Sequence, residues 1–368
     1  MPNTVFILGA GASSEAGAPL MPQFINAARD LPRADRGAIQ SVLDATAALA
    51  RSQAKATINL QNVEEIFSAF ELAALVGRLG DLKTDDIAAL PGAVGEMIAR
   101  TLEARIEYPF VHETPKAGLN VGISEPRFQP DKTHGQFADL VATLAKLGHA
   151  VSILTFNYDM CVEMALDNKK VPYVYCLTVG EPVAELQLLK LHGSLNWSRC
   201  SECEKTAAWP LAQILESMYS RWRREGWPST STKTAPRLRF FDELVKRNHC
   251  HGGKTQELLI VPPSWNKLGK YADIRTVWAA AIDVLKQAEN IVVIGYSWPP
   301  SDHFFSYLYA LGTAGDTLLR RFLVVDPEAE TIERFKGMLG QQALAVFKPL
   351  QEKFGASFND VLAEFTKQ

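Results

Sequence analysis

The sequence lacks most features that mark secreted or membrane-spanning proteins. Its 368 residues include only five cysteines, an odd number scattered along the chain, so a disulfide framework is not expected. The apolar runs have the length of strands, which argues against a membrane span, and the first residues show no signal-peptide pattern. We therefore expect a cytoplasmic protein with no membrane association.

An excess of charge of one sign is also missing. The formal net charge is −3, so no global basic field would attract nucleic acid, and no direct nucleic-acid binding is expected. Internal repeats and low-complexity tracts are absent from the sequence as well. Hydrophobic residues make up 47% of the chain, which is enough for a large core and, at this length, for about two domains.

Apolar segments of strand length alternate with helical patterns over much of the chain. The first strand opens "TVFILGAGASSEAGAP", and the others are expected at residues 150–157, 187–193, 257–263, 290–297 and 322–327. Continuously apolar strands separated by helices are typical of a parallel sheet that is buried on both faces. The sequence therefore predicts an α/β fold with a doubly wound, mostly parallel, Rossmann-like sheet.

Changes in pattern divide this prediction into four parts. The core comprises residues 1–22, 134–196 and 255–340, whereas residues 23–133 form a helical insertion that ends in a long loop, 108–135. Residues 197–254 interrupt the alternation and form a small module that contains three cysteines. Residues 341–368 are predicted to be a helical tail.

Small and polar residues follow the predicted strands. The segment "GAGASSEAG" supplies Gly9, Gly11 and Gly17, which suit a tight turn and a close approach to a pyrophosphate, although Ser14 replaces the third glycine of the common dinucleotide fingerprint. The polar groups after the later strands are Asn157, Asp159, His192, Ser297 beside Gly295, and Asp326. In doubly wound sheets such strand ends border one ligand crevice.

Each of these groups also has a structural explanation. The glycine segment could be a plain strand–helix turn, and Asn157 and Asp159 could cap the following helix. A single histidine such as His192 is more often structural than catalytic, and Asp326 before a proline could be a helix cap. The coincidence of all of them at strand ends favours a shared site.

Taken in order, "GAGASSEAGAP", "TFNYD", "LHGS" and "GYSWPPSD" resemble the sirtuin family, in particular its bacterial sirtuin-like NADase branch with a helical insertion. The resemblance covers about two thirds of the chain, the part that forms the predicted sheet. It implies NAD as the substrate. It implies cofactor contacts from Gly9, Ala10, Gly11, Ser13, Gly17, Gly295, Ser297 and Asp326, and catalytic roles for Asn157, Asp159 and His192. A carboxylate on the adenosine ribose would favour NAD over NADP.

The chain departs from the deacylase pattern of that family. "AGAP" is followed by "LMPQF", with Pro22 where an arginine is expected, and "LIVPPSWNK" replaces the Phe-Gly-Glu run that helps hold an acylated peptide. Water then becomes the natural acceptor, and the predicted activity is an NAD glycohydrolase that forms nicotinamide and ADP-ribose. The alternatives are an NAD-dependent protein deacylase and a non-catalytic NAD or ADP-ribose sensor. The resemblance further implies a role in antiphage defence by NAD depletion, a homo-oligomer, and regulation by a partner such as a HerA-like ATPase.

The small module carries a candidate structural zinc site. Cys200 and Cys203 form one Cys-x-x-C pair, but the second pair is reduced to Cys250, which lies between His249 and His251. Zinc needs four ligands, so the predicted set is the three cysteines with one of these histidines, His251 being the first choice. The other explanation is a module that folds on its apolar residues and keeps its thiols reduced.

Overall fold

A computed structural model describes residues 1–32, 37–51, 55–60, 62–112, 125–178, 186–231, 236–250, 256–261, 268–299 and 302–367. The strands in chain order are β1 (Asn3–Leu8), β2 (Phe110–His112), β3 (Pro126–Phe128), β4 (Ala150–Thr155), β5 (Tyr173–Val174), β6 (Leu186–Lys190), β7 (Gly193–Cys200), β8 (Thr206–Ala208), β9 (Gln256–Ile260), β10 (Asn290–Ile294), β11 (Arg321–Val325) and β12 (Phe347–Leu350).

The α-helices are α1 (Phe24–Arg29), α2 (Gly37–Ala50), α3 (Val63–Val76), α4 (Thr84–Arg105), α5 (Lys132–Lys146), α6 (Cys161–Asn168), α7 (Leu211–Glu225), α8 (Phe240–Leu244), α9 (Leu268–Lys286), α10 (His303–Thr313), α11 (Ala329–Met338), α12 (Gln341–Ala345) and α13 (Phe358–Thr366). Short 3-10 helices lie at Ala10–Ala16, Met21–Gln23 and Phe354–Ala356.

Seven of the described strands form one parallel sheet in the order β12-β11-β10-β1-β4-β6-β5. The central strands are mostly apolar, and every residue of β10 is buried, as expected for a sheet covered on both faces. The chain moves outward from β1 in one direction through β4 and β6, and in the other through β10 and β11. The predicted α/β class with a mostly parallel sheet is confirmed, and the reversal beside β1 is where such folds open a ligand crevice.

The insertion is mainly helical and has a core of its own. The N-cap of helix α3 is Asn62, whose side chain accepts a hydrogen bond from the Glu64 amide (2.9 Å). Its C-cap is Gly77, in the left-handed conformation. Helices α2 and α3 both pack against α4, and their buried apolar faces form a second core beside the sheet. Within the described residues no helix is both long enough and apolar enough to span a membrane.

Three sequence predictions differ from the structure. The strand expected at 257–263 is β9, but it pairs antiparallel with β7 in a separate three-stranded sheet, β8-β7-β9, and not with the parallel strands. The long loop expected at 108–135 contains the β2–β3 hairpin and the start of α5, while residues 113–124 are outside the described part. An apolar run alone indicates a strand but does not say which sheet it joins.

The third difference is the tail, residues 341–368, which is only partly helical. It contains α12 and α13, but β12 between them forms the edge of the main sheet beside β11. The four residues Phe347–Leu350 include a lysine and a proline, so they do not form a recognisable apolar run. Proline is tolerated at a sheet edge because one side of an edge strand needs no hydrogen-bond donor.

Candidate functional site

A cavity of about 650 Å³ opens at the carboxyl ends of the parallel strands, beside the reversal in strand order. This volume is within the range of about 300–1,000 Å³ that is common for small-molecule sites. Nine of the residues predicted from the sequence line it: Ala10, Gly11, Ser13, Asn157, Asp159, His192, Gly295, Ser297 and Asp326. The loops that follow β1, β4, β6, β10 and β11 therefore meet at one place.

The glycine segment after β1 is packed against the loop after β10. A Cβ on Gly9 would lie 2.5 Å from the Cα of Tyr296, and one on Gly11 would lie 2.8 Å from the Cα of Gly295. The Gly11 amide donates a hydrogen bond to the Gly295 carbonyl at 2.8 Å. Close approach of two backbones is thus one reason for glycine here, before any ligand is considered.

Two of the predicted cofactor contacts, Gly9 and Gly17, are not among the residues that line the cavity. Gly9 is covered by Tyr296, and Gly17 has a φ of 99° and would bring a Cβ within 2.4 Å of the Arg105 carbonyl oxygen. The Glu107 amide also donates to the Ala16 carbonyl (2.9 Å). Gly17 therefore joins the glycine segment to the end of α4 in the insertion.

Asn157 connects the loop after β4 to the glycine segment. Its Nδ2 donates to the Gly9 carbonyl and to Ser13 Oγ, both at 2.9 Å, and its backbone amide donates to Thr155 Oγ1. This use of Nδ2 leaves the amide oxygen as the acceptor that a water molecule or a substrate can use. The side chain is therefore fixed in place, as a catalytic amide has to be.

Asp159 is 4% exposed and combines two roles in the structure. Its Oδ1 accepts a hydrogen bond from the Cys161 amide (3.0 Å), the first amide of α6, whose N-cap residue is Met160. It also lines the cavity. Asp159 thus bonds the first turn of α6 from one position before its N-cap, whereas Asn157 forms bonds across the site.

His192 lies in an aromatic part of the wall. Its ring centroid is 5.1 Å from Phe156 in an edge-on arrangement and 6.1 Å from Tyr158, and Phe156 is stacked on Tyr296 at 4.5 Å. Burial, together with the charge of Glu64, raises the pKa of Tyr158, so its hydroxyl stays protonated at neutral pH. That hydroxyl donates to the Val261 carbonyl at 3.2 Å.

Asp326, at the end of β11, is 8% exposed and borders the far end of the cavity. Its Oδ1 accepts a hydrogen bond from the Glu328 amide at 2.9 Å, but the N-cap of α11 is Glu328 and has no side-chain cap bond, so Asp326 does not cap this helix. Burial raises the pKa of Asp326 above its usual value, and the Glu328 hydrogen bond partly offsets this. A buried carboxylate of this kind is suited to accept hydrogen bonds from hydroxyl groups.

Several cavity residues were not found by sequence reasoning because they come from outside the predicted core. Glu64 and Leu102 belong to the insertion, and Lys353 and Phe354 belong to the tail. The Gly355 amide donates to Glu15 Oε2 at 2.6 Å, which holds the tail against the glycine segment. Asp302 was visible in the sequence as a polar residue before a helix; it accepts from Tyr296 Oη (2.7 Å) and caps α10.

The cysteines of the small module form a cluster at the end of β7, where Cys200 lies. Cys200, Cys203, Cys250 and His249 each offer a ligand atom, and these atoms lie within 4.8 Å of one another. The Cys200 and Cys250 sulfurs are 3.7 Å apart, and Cys203 Sγ is 3.3 Å from His249 Nδ1. His251, the first choice from the sequence, lies outside the described residues.

The donors of this cluster fit a tetrahedral zinc ion. A Zn–S bond of about 2.3 Å requires sulfurs separated by about 3.8 Å, close to the Cys200–Cys250 distance. Backbone amides of Cys203 and Glu202 lower the pKa of Cys200 to about 7, which favours the thiolate that binds metal. The four side chains that would hold the ion are therefore Cys200, Cys203, His249 and Cys250, and zinc would act there as a structural crosslink.

No protein-family profile matches the sequence, and a comparison with curated proteins finds no match. Among solved structures, the chain is similar to a Sir2 homologue in complex with NAD (16% identity, TM-score 0.44, 98% of this chain and 88% of the other). It is also similar to Sir2Tm bound to a propionylated peptide (14% identity, TM-score 0.41, 99% and 93%). Likeness at this level does not establish descent or function, so the proposals for the site rest on its own geometry.

Proposed function

We propose that the protein is an NAD glycohydrolase with a sirtuin-like site, which cleaves NAD to nicotinamide and ADP-ribose. The observation that carries this proposal is the single cavity bordered by Gly11, Asn157, His192 and Asp326, which come from four different strand ends. The sequence motifs that resemble sirtuins thus contribute to one site large enough for a small-molecule substrate.

The proposed chemistry needs no covalent enzyme intermediate. The bond between the nicotinamide nitrogen and C1′ of the ribose breaks, the electron pair leaves with nicotinamide, and an oxocarbenium-like ribose develops. Water then adds at C1′ and loses a proton, which gives ADP-ribose. A nearby carboxylate or amide oxygen would stabilise the developing positive charge.

The residues divide this work according to their positions. The Asn157 oxygen would orient the water or the nicotinamide carboxamide, and His192 would accept the proton from water or from a ribose hydroxyl. Asp159 would stabilise positive charge on the ribose. Ala10, Gly11, Ser13, Gly295 and Ser297 would contact the phosphates and ribose, and Asp326 would bind the adenosine ribose hydroxyls.

The biological role that goes with this activity is growth arrest by NAD depletion during phage infection, and it rests on the resemblance of the sequence. Such an activity has to be restrained in an uninfected cell. Assembly of the chain with itself and a regulatory partner such as a HerA-like ATPase remain predictions from the same source. The insertion and the tail, which both reach the cavity, are the parts through which regulation would act.

Incubation of the purified protein with NAD, with and without an acetylated peptide, tests the proposal. We expect chromatography to show nicotinamide and ADP-ribose without peptide, and the rate to fall by about 100-fold or more in Asn157→Ala and His192→Ala. His112→Ala, at an exposed position of β2, is the control. Thermal unfolding of each variant separates loss of chemistry from loss of fold.

The other outcomes identify the alternatives. Product that appears only with peptide would indicate a deacylase and refute the glycohydrolase. Binding of NAD or ADP-ribose in calorimetry, with no turnover in the intact protein or with a partner added, would indicate a sensor.

A further inference from the structure

Lys190 and Glu163 form an ion pair in the interior beneath the candidate site. Lys190 is the last residue of β6, two positions before His192, and Glu163 lies in the first turn of α6. Their side chains are 1% and 0% exposed, and Lys190 Nζ is 2.8 Å from Glu163 Oε1. A lysine and a glutamate are therefore fully buried between β6 and α6. Asp159 lies just before α6, and His192 lies just after β6.

Stability alone is a poor explanation for this pair. The desolvation of two charges often exceeds their attraction, and replacing a buried ion pair by well-packed neutral residues is frequently neutral or stabilising. A pair with an additional geometric role is a better explanation. Lys190 provides one, because its Nζ also donates a hydrogen bond to the backbone carbonyl of Asp159.

This bond holds the turn between β4 and α6, which carries the two residues proposed to act at the ribose. Asn157 enters the turn from β4, and Asp159 leaves it toward α6. Other bonds also hold the turn: Asn157 Nδ2 donates to the Gly9 carbonyl and to Ser13 Oγ (both 2.9 Å), the Leu195 amide donates to the Tyr158 carbonyl (2.9 Å), and the Cys161 amide donates to Asp159 Oδ1 (3.0 Å). The Lys190 bond holds the Asp159 carbonyl from β6. Lys190 thus ties the turn to the neighbouring strand.

A buried hydrogen-bond chain continues from Glu163 toward the second sheet. Tyr175 Oη donates to Glu163 Oε1 (3.2 Å), and Asn196 Nδ2 donates both to Tyr175 Oη (3.1 Å) and to the Trp209 carbonyl (2.8 Å). Trp209 Nε1 then donates to Ser198 Oγ (2.8 Å), two residues before Cys200 on β7. The position of Lys190 is therefore set from both sheets.

We propose that Lys190 and Glu163 are positioning residues that fix the Asn157–Asp159 turn for catalysis through the Asp159 carbonyl, without touching the substrate. For its catalytic consequence this inference rests on the proposed cleavage of NAD. A displacement of about 1 Å at a reacting group can reduce a rate by on the order of 100-fold, which sets the scale of the expected effect.

The test is the double variant K190M/E163Q. It removes both charges together, so neither is left buried alone, and the glutamine oxygen still accepts from Tyr175. The matched control is K348M/E364Q, which removes an ion pair (2.5 Å) at the sheet edge, where Lys348 is 44% exposed. Steady-state kinetics, calorimetric NAD binding, thermal unfolding and amide hydrogen exchange are measured on both and on the unmodified protein.

We expect kcat of K190M/E163Q to fall by about 10- to 100-fold while KM and the melting temperature change little. Faster hydrogen exchange should be confined to the amides of Asn157 and Cys161 and their neighbours. The control should keep its kcat and its exchange in this turn. A normal kcat overturns the proposal, as does a uniform increase in exchange, which would indicate general destabilisation.

The two proposals fail in different ways. If the unmodified protein does not cleave NAD, the glycohydrolase proposal fails, and exchange at Asn157 and Cys161 still decides whether the pair holds the turn. If the unmodified protein cleaves NAD and the double variant cleaves it equally fast, only the positioning role fails.

Discussion

Glu103 on α4 gives a sharp test of the packing in the insertion. The residue is 3% exposed; its Oε1 accepts a hydrogen bond from the Phe241 amide (2.6 Å), and its Oε2 has no partner among the described residues. Burial raises the pKa of Glu103 to about 8, although the Phe241 hydrogen bond and the nearby Arg100 work in the opposite direction. The folded protein thus holds a proton there that the unfolded chain loses near pH 4.3, the usual value for a glutamate.

The sign and size of the effect follow from this difference. Below about pH 4 both states are protonated and Glu103 has no influence, whereas between about pH 4 and 8 the unfolded state is favoured increasingly as the pH rises. Each pH unit in this window lowers the free energy of unfolding by about 1.4 kcal/mol, so the whole loss is on the order of 5 kcal/mol and is complete above pH 8. Glu103→Gln removes the ionisation and keeps the acceptor for Phe241.

Urea unfolding at pH 5, 7 and 9 measures the prediction. We expect Glu103→Gln to be more stable than the unmodified protein at pH 9, by a few kcal/mol on the scale above, and to differ by about 1 kcal/mol or less at pH 5. The exposed Glu225→Gln on α7 serves as the control and should show no such divergence. Parallel stability curves for the unmodified protein and Glu103→Gln would refute the burial argument.

Three further predictions concern the site and the cysteine cluster. Gly295→Ala should lower the free energy of unfolding in a urea titration by about 1–3 kcal/mol or more, because φ is +59° and the new Cβ would lie 2.3 Å from the Ala12 nitrogen. The control Gly337→Ala has open space around the new Cβ and should show no loss in the same titration. The purified protein should contain one zinc per chain by elemental analysis. Cys250→Ser should lose this zinc, while the control Cys176→Ser should retain it. Equal zinc contents in the two variants would contradict the assigned ligands. Asp326→Asn should reduce the preference for NAD over NADP in the cleavage assay, and an unchanged ratio would argue against contact with the adenosine ribose.

The central sheet could be predicted from the sequence because its strands are short, apolar and separated by helices. β1, β4, β6, β10 and β11 each stand out as such a run. β9 shows the limit of this signal, since an apolar run is equally compatible with the second sheet. β12 was missed for the opposite reason: an edge strand needs only one hydrogen-bonded neighbour and can be short and contain Pro349.

The candidate site could be predicted as far as it depends on strand ends. Asn157, His192 and Asp326 line one cavity because parallel strands end at the same edge of the sheet. The contribution of Glu64 could not be found in this way, because it depends on how an inserted helix packs against the core. The role of Lys190 could not be predicted for a different reason. A lysine at a strand end is normally solvated, and only the fold shows that this one is buried.

The contact between Glu15 and the Gly355 amide has a practical consequence for work on this protein. It places Lys353 and Phe354 in the cavity wall, only fifteen residues before the last one in the sequence. A truncation before Lys353 would remove two residues of the cavity wall without changing any residue of the glycine segment. Enzymatic comparisons should therefore leave Lys353, the turn that follows it and α13 intact.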